Sequence, residues 1–127
     1  KDTNKYETGW KNLAKLGGRP TDGPIVMPTS GYGAFSPEID IFLKEHLFAD
    51  IFSRDVLNYS DRELTTVSAL IALGGVEPML GSHMGLAMKQ GLTRVQLEEV
   101  ISIVEKSVSK ADAEAAKKVL IEITSRN

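Results

Sequence analysis

Residues 62–93 read RELTTVSALIALGGVEPMLGSHMGLAMKQGLT, and this stretch decides the fold because it contains two helices with a clear break between them. Gly74-Gly75 ends the first helix, and Pro78 lies in the first turn of the second. Ser60 and Glu63 have the spacing of a capping box at the start of the first helix. Neither segment alternates as a strand would, so the stretch predicts two consecutive helices.

Further helix signals lie before and after these two predicted helices. A first helix is predicted over residues 3–16, and Ser36 with Pro37 begins another that runs to Phe52. Thr93 with Gln96 forms a second capping box, followed by an apolar stripe and a last helix. The predicted fold class is all-α, a bundle of five to six helices.

The turn-forming residues concentrate in residues 17–36, which are expected to form one long loop. A chain of 127 residues has the size of one domain. We therefore expect a single domain over residues 1–127, with this loop inside it.

Composition excludes several classes of function. The net charge is −2 and no Lys/Arg cluster is present, which argues against nucleic acid and anionic membranes as partners. No apolar run approaches the length of a bilayer span. The absence of cysteine excludes disulfides, thiolate metal sites and thiol redox chemistry by this chain. A cytoplasmic location is expected, although the chain begins at Lys1 and a removed leader is left open.

The predicted helix over residues 37–52 is apolar on every side of its axis. A helix of this kind must be buried all round, and a small monomer has few places to bury it. The sequence therefore predicts an obligate homo-oligomer.

His83 is one of two histidines, and its side chain is predicted to point inward. It is predicted to share a helical stripe with the apolar residues Val76, Met79, Leu80, Leu86 and Ala87. One interpretation is a core histidine that serves packing. The other is a general acid/base, since histidine is the side chain best suited to proton transfer near neutral pH. The residues alone leave both open.

Glu63 and Arg62 each have a structural and a functional interpretation. Glu63 can complete the capping box through the Ser60 amide, or it can orient an imidazole from the inward edge of its helix. Arg62 is either a solvated surface arginine or a fixed cation for a substrate carboxylate.

His46 and Met79 are predicted to contact the substrate. His46 has Asp50 one turn further along its helix, so a contact between the two is feasible, and a purely structural role is the alternative. Two histidines without H-x-x-x-H or E-x-x-H spacing give no metal signature, and no metal is predicted.

Four segments together resemble the carboxymuconolactone decarboxylase family, including its alkylhydroperoxidase D-like branch. They are KYETGWKNLAKLGG, FADIFSRDVL, RELTTVSALIALG and HMGLAMKQGLT, and the resemblance covers residues 5–108. It implies an all-helical oligomer, a trimer or a hexamer, with active sites near subunit contacts. In the peroxidase branch a Cys-x-x-Cys pair precedes the histidine, but here those positions hold Val76 and Met79.

The decarboxylase branch needs no cysteine and is the better match. It implies a cofactor-free lyase that acts on a carboxylated lactone or related organic acid, in the breakdown of aromatic compounds. His83 resembles the proton donor, Glu63 its orienting group and Arg62 the cation for the substrate carboxylate. Two alternatives stay open: a binding or assembly module that has lost its redox cysteines, and a redox relative that works with an external thiol or bound cofactor.

Overall fold

The computed structural model describes residues 4–126, and over that range every regular element is helical. There are seven α-helices and one π-helical segment in these residues, with no strand, which confirms the all-α prediction. The predicted number of five to six helices is too low, because the short helix Gly31–Phe35 was not expected. The chain divides into two compact units, Lys1–Leu57 and Asn58–Asn127. The expectation of a single domain stays a prediction.

Unit 1 contains three α-helices and the π-helical segment. These are α1 (Lys5–Leu16), α2 (Gly31–Phe35), α3 (Pro37–Phe42) and the π segment (Leu43–Ile51), which continues α3 directly. The predicted first helix is confirmed from Lys5 to Leu16, and Asn4 caps it by accepting from the amide of Glu7; residue 3, where the prediction began, lies outside the described residues. The predicted loop over residues 17–36 is partly wrong, because α2 forms within it.

Helix α1 packs against the π segment at very short range. Gly9 is buried there, and a Cβ atom on it would lie 1.8 Å from the carbonyl oxygen of Lys44. The obstacle is backbone, which cannot rotate away as a side chain can. Gly9 is therefore what permits this approach of the two elements.

The helix that looked apolar all round is buried on only part of its circumference within one chain. Its most buried residues in α3 and the π segment include a charged pair, Asp40 and Lys44. Ile39 and Phe42 remain 51% and 61% exposed. The apolar character of this helix is thus not explained by packing inside the chain.

Unit 2 contains four α-helices. They are α4 (Tyr59–Leu73), α5 (Glu77–Lys89), α6 (Arg94–Ser107) and α7 (Lys110–Ser125). All four contribute to one apolar core, because each carries small or aliphatic side chains on its inner face. Val67 of α4 and Met84 of α5 lie in this core, and both are fully buried.

Three of the four helices of unit 2, α4, α6 and α7, begin after a residue whose side chain caps the helix, and α5 begins without such a cap. The capping box at Thr93 is confirmed, since Thr93 and Gln96 bond to each other's backbone amides. The box predicted at Ser60 is wrong: α4 begins two residues earlier than that box implies, at Tyr59, and Asn58 caps it by accepting from the amide of Asp61. Glu63 is consequently released from a capping role.

None of the helices in residues 4–126 combines the length and the apolar character that crossing a bilayer requires.

Candidate active site

Glu63 of α4 and His83 of α5 form a direct side-chain contact. The Oε2 atom of Glu63 lies 2.7 Å from Nδ1 of His83. The two helices pack against each other, and their registers bring the second turn of α4 opposite the middle of α5. This contact joins two residues that sequence reasoning had singled out.

The two members of the pair differ strongly in exposure. The Glu63 side chain is 1% exposed, whereas the His83 side chain is 30% exposed. A buried carboxylate without a partner would be costly, so the imidazole satisfies a group that water cannot reach. The imidazole in turn is held by Glu63, while part of the His83 side chain stays in contact with solvent.

The position of His83 corrects the predicted stripe on α5. The residues of α5 that enter the core are Leu80, Met84 and Ala87, and Met79 is 55% exposed. His83 therefore lies at the edge of the buried face, where a side chain can contact both a neighbouring helix and solvent. The prediction that His83 points inward holds only in part, because 30% of its side chain is exposed.

The contact with Glu63 assigns different tasks to the two ring nitrogens. An ionised carboxylate only accepts hydrogen bonds, so Nδ1 carries the proton in the pair. We assign the tautomer on this basis, and it leaves Nε2 as the nitrogen available to another molecule. Nε2 can accept a proton when the ring is neutral and donate one when the ring is charged.

Arg62 lies next to Glu63 in the first turns of α4 and is partly buried. Its guanidinium influences Tyr59: burial raises the pKa of the Tyr59 hydroxyl, and the positive charge of Arg62 opposes that rise. Arg62 thus stands near the start of α4, in the same unit as the Glu63–His83 pair. Its predicted role in substrate binding stays a prediction.

The other two predicted substrate contacts have different settings. Met79 lies one turn before His83 on α5 and is exposed. His46 belongs to unit 1, where its side chain is 55% exposed and its Nδ1 lies 3.9 Å from Oδ2 of Asp50. Its ring centroid is 5.3 Å from that of Phe42. For both residues, contact with the substrate stays a prediction.

A buried polar cluster in unit 1 was missed by sequence reasoning. Asp40 and Lys44 form an ion pair in which both side chains are almost completely buried. The Tyr6 hydroxyl donates to Oδ2 of Asp40 at 2.9 Å and lies 3.3 Å from the Lys44 ammonium. The available signal was the four-residue spacing of opposite charges on one helix.

Metal ligation finds no support in the described part of the chain, where no group of three or more His, Asp or Glu side chains is arranged to hold an ion.

The fold and the pair define an all-helical protein with a carboxylate and an imidazole joined across two packed helices. The sequence model of the carboxymuconolactone decarboxylase family matches residues 37–122, which is more than half of the chain. The chain therefore belongs to that family. No curated protein matches it closely enough to count as a relative.

The family match differs in extent from the resemblance seen in the sequence. It begins at Pro37 and continues to Glu122, so it includes Glu63 and His83. The early segment KYETGWKNLAKLGG and the residues that follow it, up to Ser36, lie outside the match. The family match therefore gives no information on the part of unit 1 before Pro37.

Proposed function

We propose that the protein is a cofactor-free lyase that removes carbon dioxide from a carboxylated lactone or a related organic acid. The single observation that carries the proposal is the contact of the buried Glu63 carboxylate with Nδ1 of His83, whose side chain is 30% exposed. Membership of the carboxymuconolactone decarboxylase family supports this reaction class.

In the proposed reaction the bond between the substrate carbon and its carboxylate breaks, and the electron pair stays on that carbon as an enolate. Carbon dioxide leaves. The charged imidazole of His83 then delivers its Nε2 proton to the carbon, and water restores the proton to the ring. Glu63 keeps Nδ1 protonated, orients the ring and stabilises its positive charge before transfer.

Arg62 is proposed to bind a carboxylate of the substrate that is not lost. A guanidinium can hold a carboxylate through two parallel hydrogen bonds, which fixes orientation as well as position. Its place beside Glu63 on α4 supports this role, because the rigid helix fixes the backbone spacing of the two residues. Met79 and His46 are proposed as further substrate contacts.

The partial exposure of the His83 imidazole also supports a site that a second copy of the chain completes. Decarboxylation is favoured where water is excluded, because the electrostatic interactions of the enolate are then stronger. We propose that the chain forms a homo-oligomer, a trimer or a hexamer, with the site near a subunit contact. The exposed apolar residues of α3 support self-association.

The test is release of carbon dioxide from carboxymuconolactone and related carboxylated lactones, compared between the wild type and Glu63→Gln. The glutamine keeps an acceptor for Nδ1 but removes the charge, so we expect the rate to fall by roughly 10² or more. Glu99→Gln, an exposed position on α6, is the matched control and should keep the full rate. Equal rates for Glu63→Gln and wild type overturn the proposed role of Glu63.

The absence of cysteine favours one rival, a family member that serves as a binding or assembly module. That function predicts ligand binding or self-association without turnover of any carboxylated lactone. If small dicarboxylates shift the ring signals of His83 in an NMR titration and no substrate is consumed, the binding module is the better description.

A further inference from the structure

Unit 1 contains a cavity of about 680 Å³ that the proposed reaction does not use. Its apolar wall includes Trp10, Leu13 and Met27, and its polar lining includes Arg19, Asp40 and Lys44. A volume of this size is within the range of small-molecule sites, which are mainly apolar with a few placed polar groups. All but two of its lining residues precede Pro37, so nearly the whole wall lies outside the family match.

One of the positively charged residues that line the cavity has no carboxylate partner among the described residues. Lys44 and Asp40 neutralise each other in their buried ion pair. The Tyr6 hydroxyl donates to Asp40 and stays neutral, because burial and then the bond to Asp40 raise its pKa to about 12. Among the described residues no carboxylate lies within ion-pairing distance of Arg19, so the excess positive charge belongs to its exposed guanidinium.

Two close contacts hold parts of the cavity wall in place. The Tyr6 hydroxyl lies 3.2 Å from the sulfur of Met27, which ties the loop before α2 to α1. Gly33 of α2 is packed so closely that a Cβ atom on it would lie 2.6 Å from Cγ of Pro28 and 3.0 Å from Oδ1 of Asp40. A preformed cavity loses less conformational entropy when it binds a ligand than a mobile loop does.

We propose that this cavity is a second ligand site that takes a small aromatic carboxylate. The carboxylate of the ligand binds the guanidinium of Arg19. The flat ring packs on the indole of Trp10 and on the side chain of Met27, where apolar surface is removed from water. The buried Asp40–Lys44 pair forms a neutral, hydrogen-bonded part of the lining that holds the shape of the cavity.

Benzoate is the probe, and Trp10 reports on its binding because it is the only tryptophan of the chain. We expect benzoate to shift the indole N–H signal of Trp10 in an NMR titration of the full chain and to change its fluorescence. Benzamide has the ring without the charge, and acetate has the charge without the ring. Both should bind at least tenfold more weakly than benzoate.

Arg19→Gln should weaken the Trp10 response by roughly tenfold to a hundredfold, the value of one charge-assisted hydrogen bond. Arg94→Gln, an exposed arginine on α6 of unit 2, is the matched control and should leave the response unchanged. Arg19→Lys should restore part of the affinity. A two-dimensional NMR spectrum of each variant establishes that it is folded.

Separate outcomes decide between this site and the Glu63–His83 site, because both are proposed to bind carboxylates. His83→Gln should leave the Trp10 response to benzoate intact, and Arg19→Gln should leave carbon dioxide release intact. The second site is overturned if benzoate leaves Trp10 unchanged at millimolar concentration, if Arg19→Gln binds like wild type, or if benzamide or acetate binds as well as benzoate. None of these outcomes bears on the proposed lyase.

Discussion

Glu63 and His83 are 20 positions apart in the chain, and their side chains meet at 2.7 Å across α4 and α5. Among residues 4–126, each unit holds one fully buried carboxylate, but the ionic partners of the two carboxylates differ. Asp40 is neutralised by a lysine that is itself buried, whereas Glu63 is paired with an imidazole that is 30% exposed. The Asp40–Lys44 pair suits a structural role, because both charges are buried. The Glu63–His83 pair suits proton exchange with another molecule.

Gly9→Ala should destabilise the protein. The new Cβ would lie 1.8 Å from the carbonyl oxygen of Lys44, so α1 must move away from the π segment. Overpacking of this kind costs roughly 1–3 kcal/mol of unfolding free energy. Urea unfolding measures the change. Gly23→Ala is the control, because a Cβ there meets nothing within 4 Å, and a comparable loss in both variants would contradict this account.

Tyr6 should make stability depend on pH in the alkaline range. Its pKa rises from 10.0 to about 12 in the folded protein, mainly through burial. The folded state therefore holds this proton more tightly than the unfolded state does, and the resulting stabilisation is complete below pH 10 and lost between pH 10 and 12. Tyr6→Phe should be less stable at neutral pH but lose stability less steeply over that window.

The measurement is the unfolding free energy of both proteins at several pH values from 8 to 12. Burial also raises the pKa of Tyr32 and Tyr59, so the difference between wild type and Tyr6→Phe is the informative quantity. If the difference stays constant across the window, Tyr6 does not titrate as described.

Local signals predicted most of the helices. The Thr93 box and the Pro78 start depend on neighbours within one helical turn, and both are in place. The error at Ser60 has a local cause too, because Asn58 is an equally good acceptor two residues earlier. The short helix α2 and the π segment gave no such signal.

Contacts between helices were harder to predict. Helical periodicity placed His83 on an apolar stripe, but it could not tell the centre of the buried face from its edge. Charged residues are expected on the protein surface, so the sequence did not predict the burial of Asp40 and Lys44. Their burial depends on a further partner, Tyr6, which lies on another helix, α1. Glu63 could be assigned an orienting role only as one of two alternatives, because its partner lies on another helix.

The protein should show no hydroperoxide reductase activity with dithiol reductants. Val76 and Met79 stand where the resemblance places the two thiols, and the chain contains no cysteine. The assay is consumption of an organic hydroperoxide in metal-free buffer with excess dithiol. Turnover above the rate without protein would contradict the prediction.

Self-association should depend on the exposed apolar side chains of α3. We expect sedimentation at micromolar concentration to show no stable monomer of the wild type. Phe42→Asp should shift the protein toward monomer, because it places a charge on a surface that is 61% exposed in a single chain. Val95→Asp is the matched control, since Val95 on α6 is equally exposed at 61%. A monomeric wild type, or equal dissociation of both variants, would refute this surface as the interface.

The last prediction separates the catalytic and packing roles of His83. Glutamine at this position keeps an N–H that can donate to the buried Glu63 carboxylate, but it cannot deliver a proton. His83→Gln should therefore stay folded and lose roughly 10² to 10⁴ in the rate of carbon dioxide release. His83→Ala also removes the donor and leaves the carboxylate of Glu63 unsatisfied, so it should cost a further 1–3 kcal/mol or so of unfolding free energy.

Thermal unfolding and turnover of both variants, measured on the same preparations, provide the comparison. The catalytic role requires that the rate falls in His83→Gln while its melting temperature stays close to that of wild type. If His83 only packs, the melting temperature of His83→Gln should fall while its rate of carbon dioxide release stays at the wild-type value. In that case the contact with Glu63 serves only to satisfy the hydrogen bonding of a buried carboxylate. If His83→Gln melts much earlier than wild type and yet releases carbon dioxide at the full rate, His83 is not the proton donor.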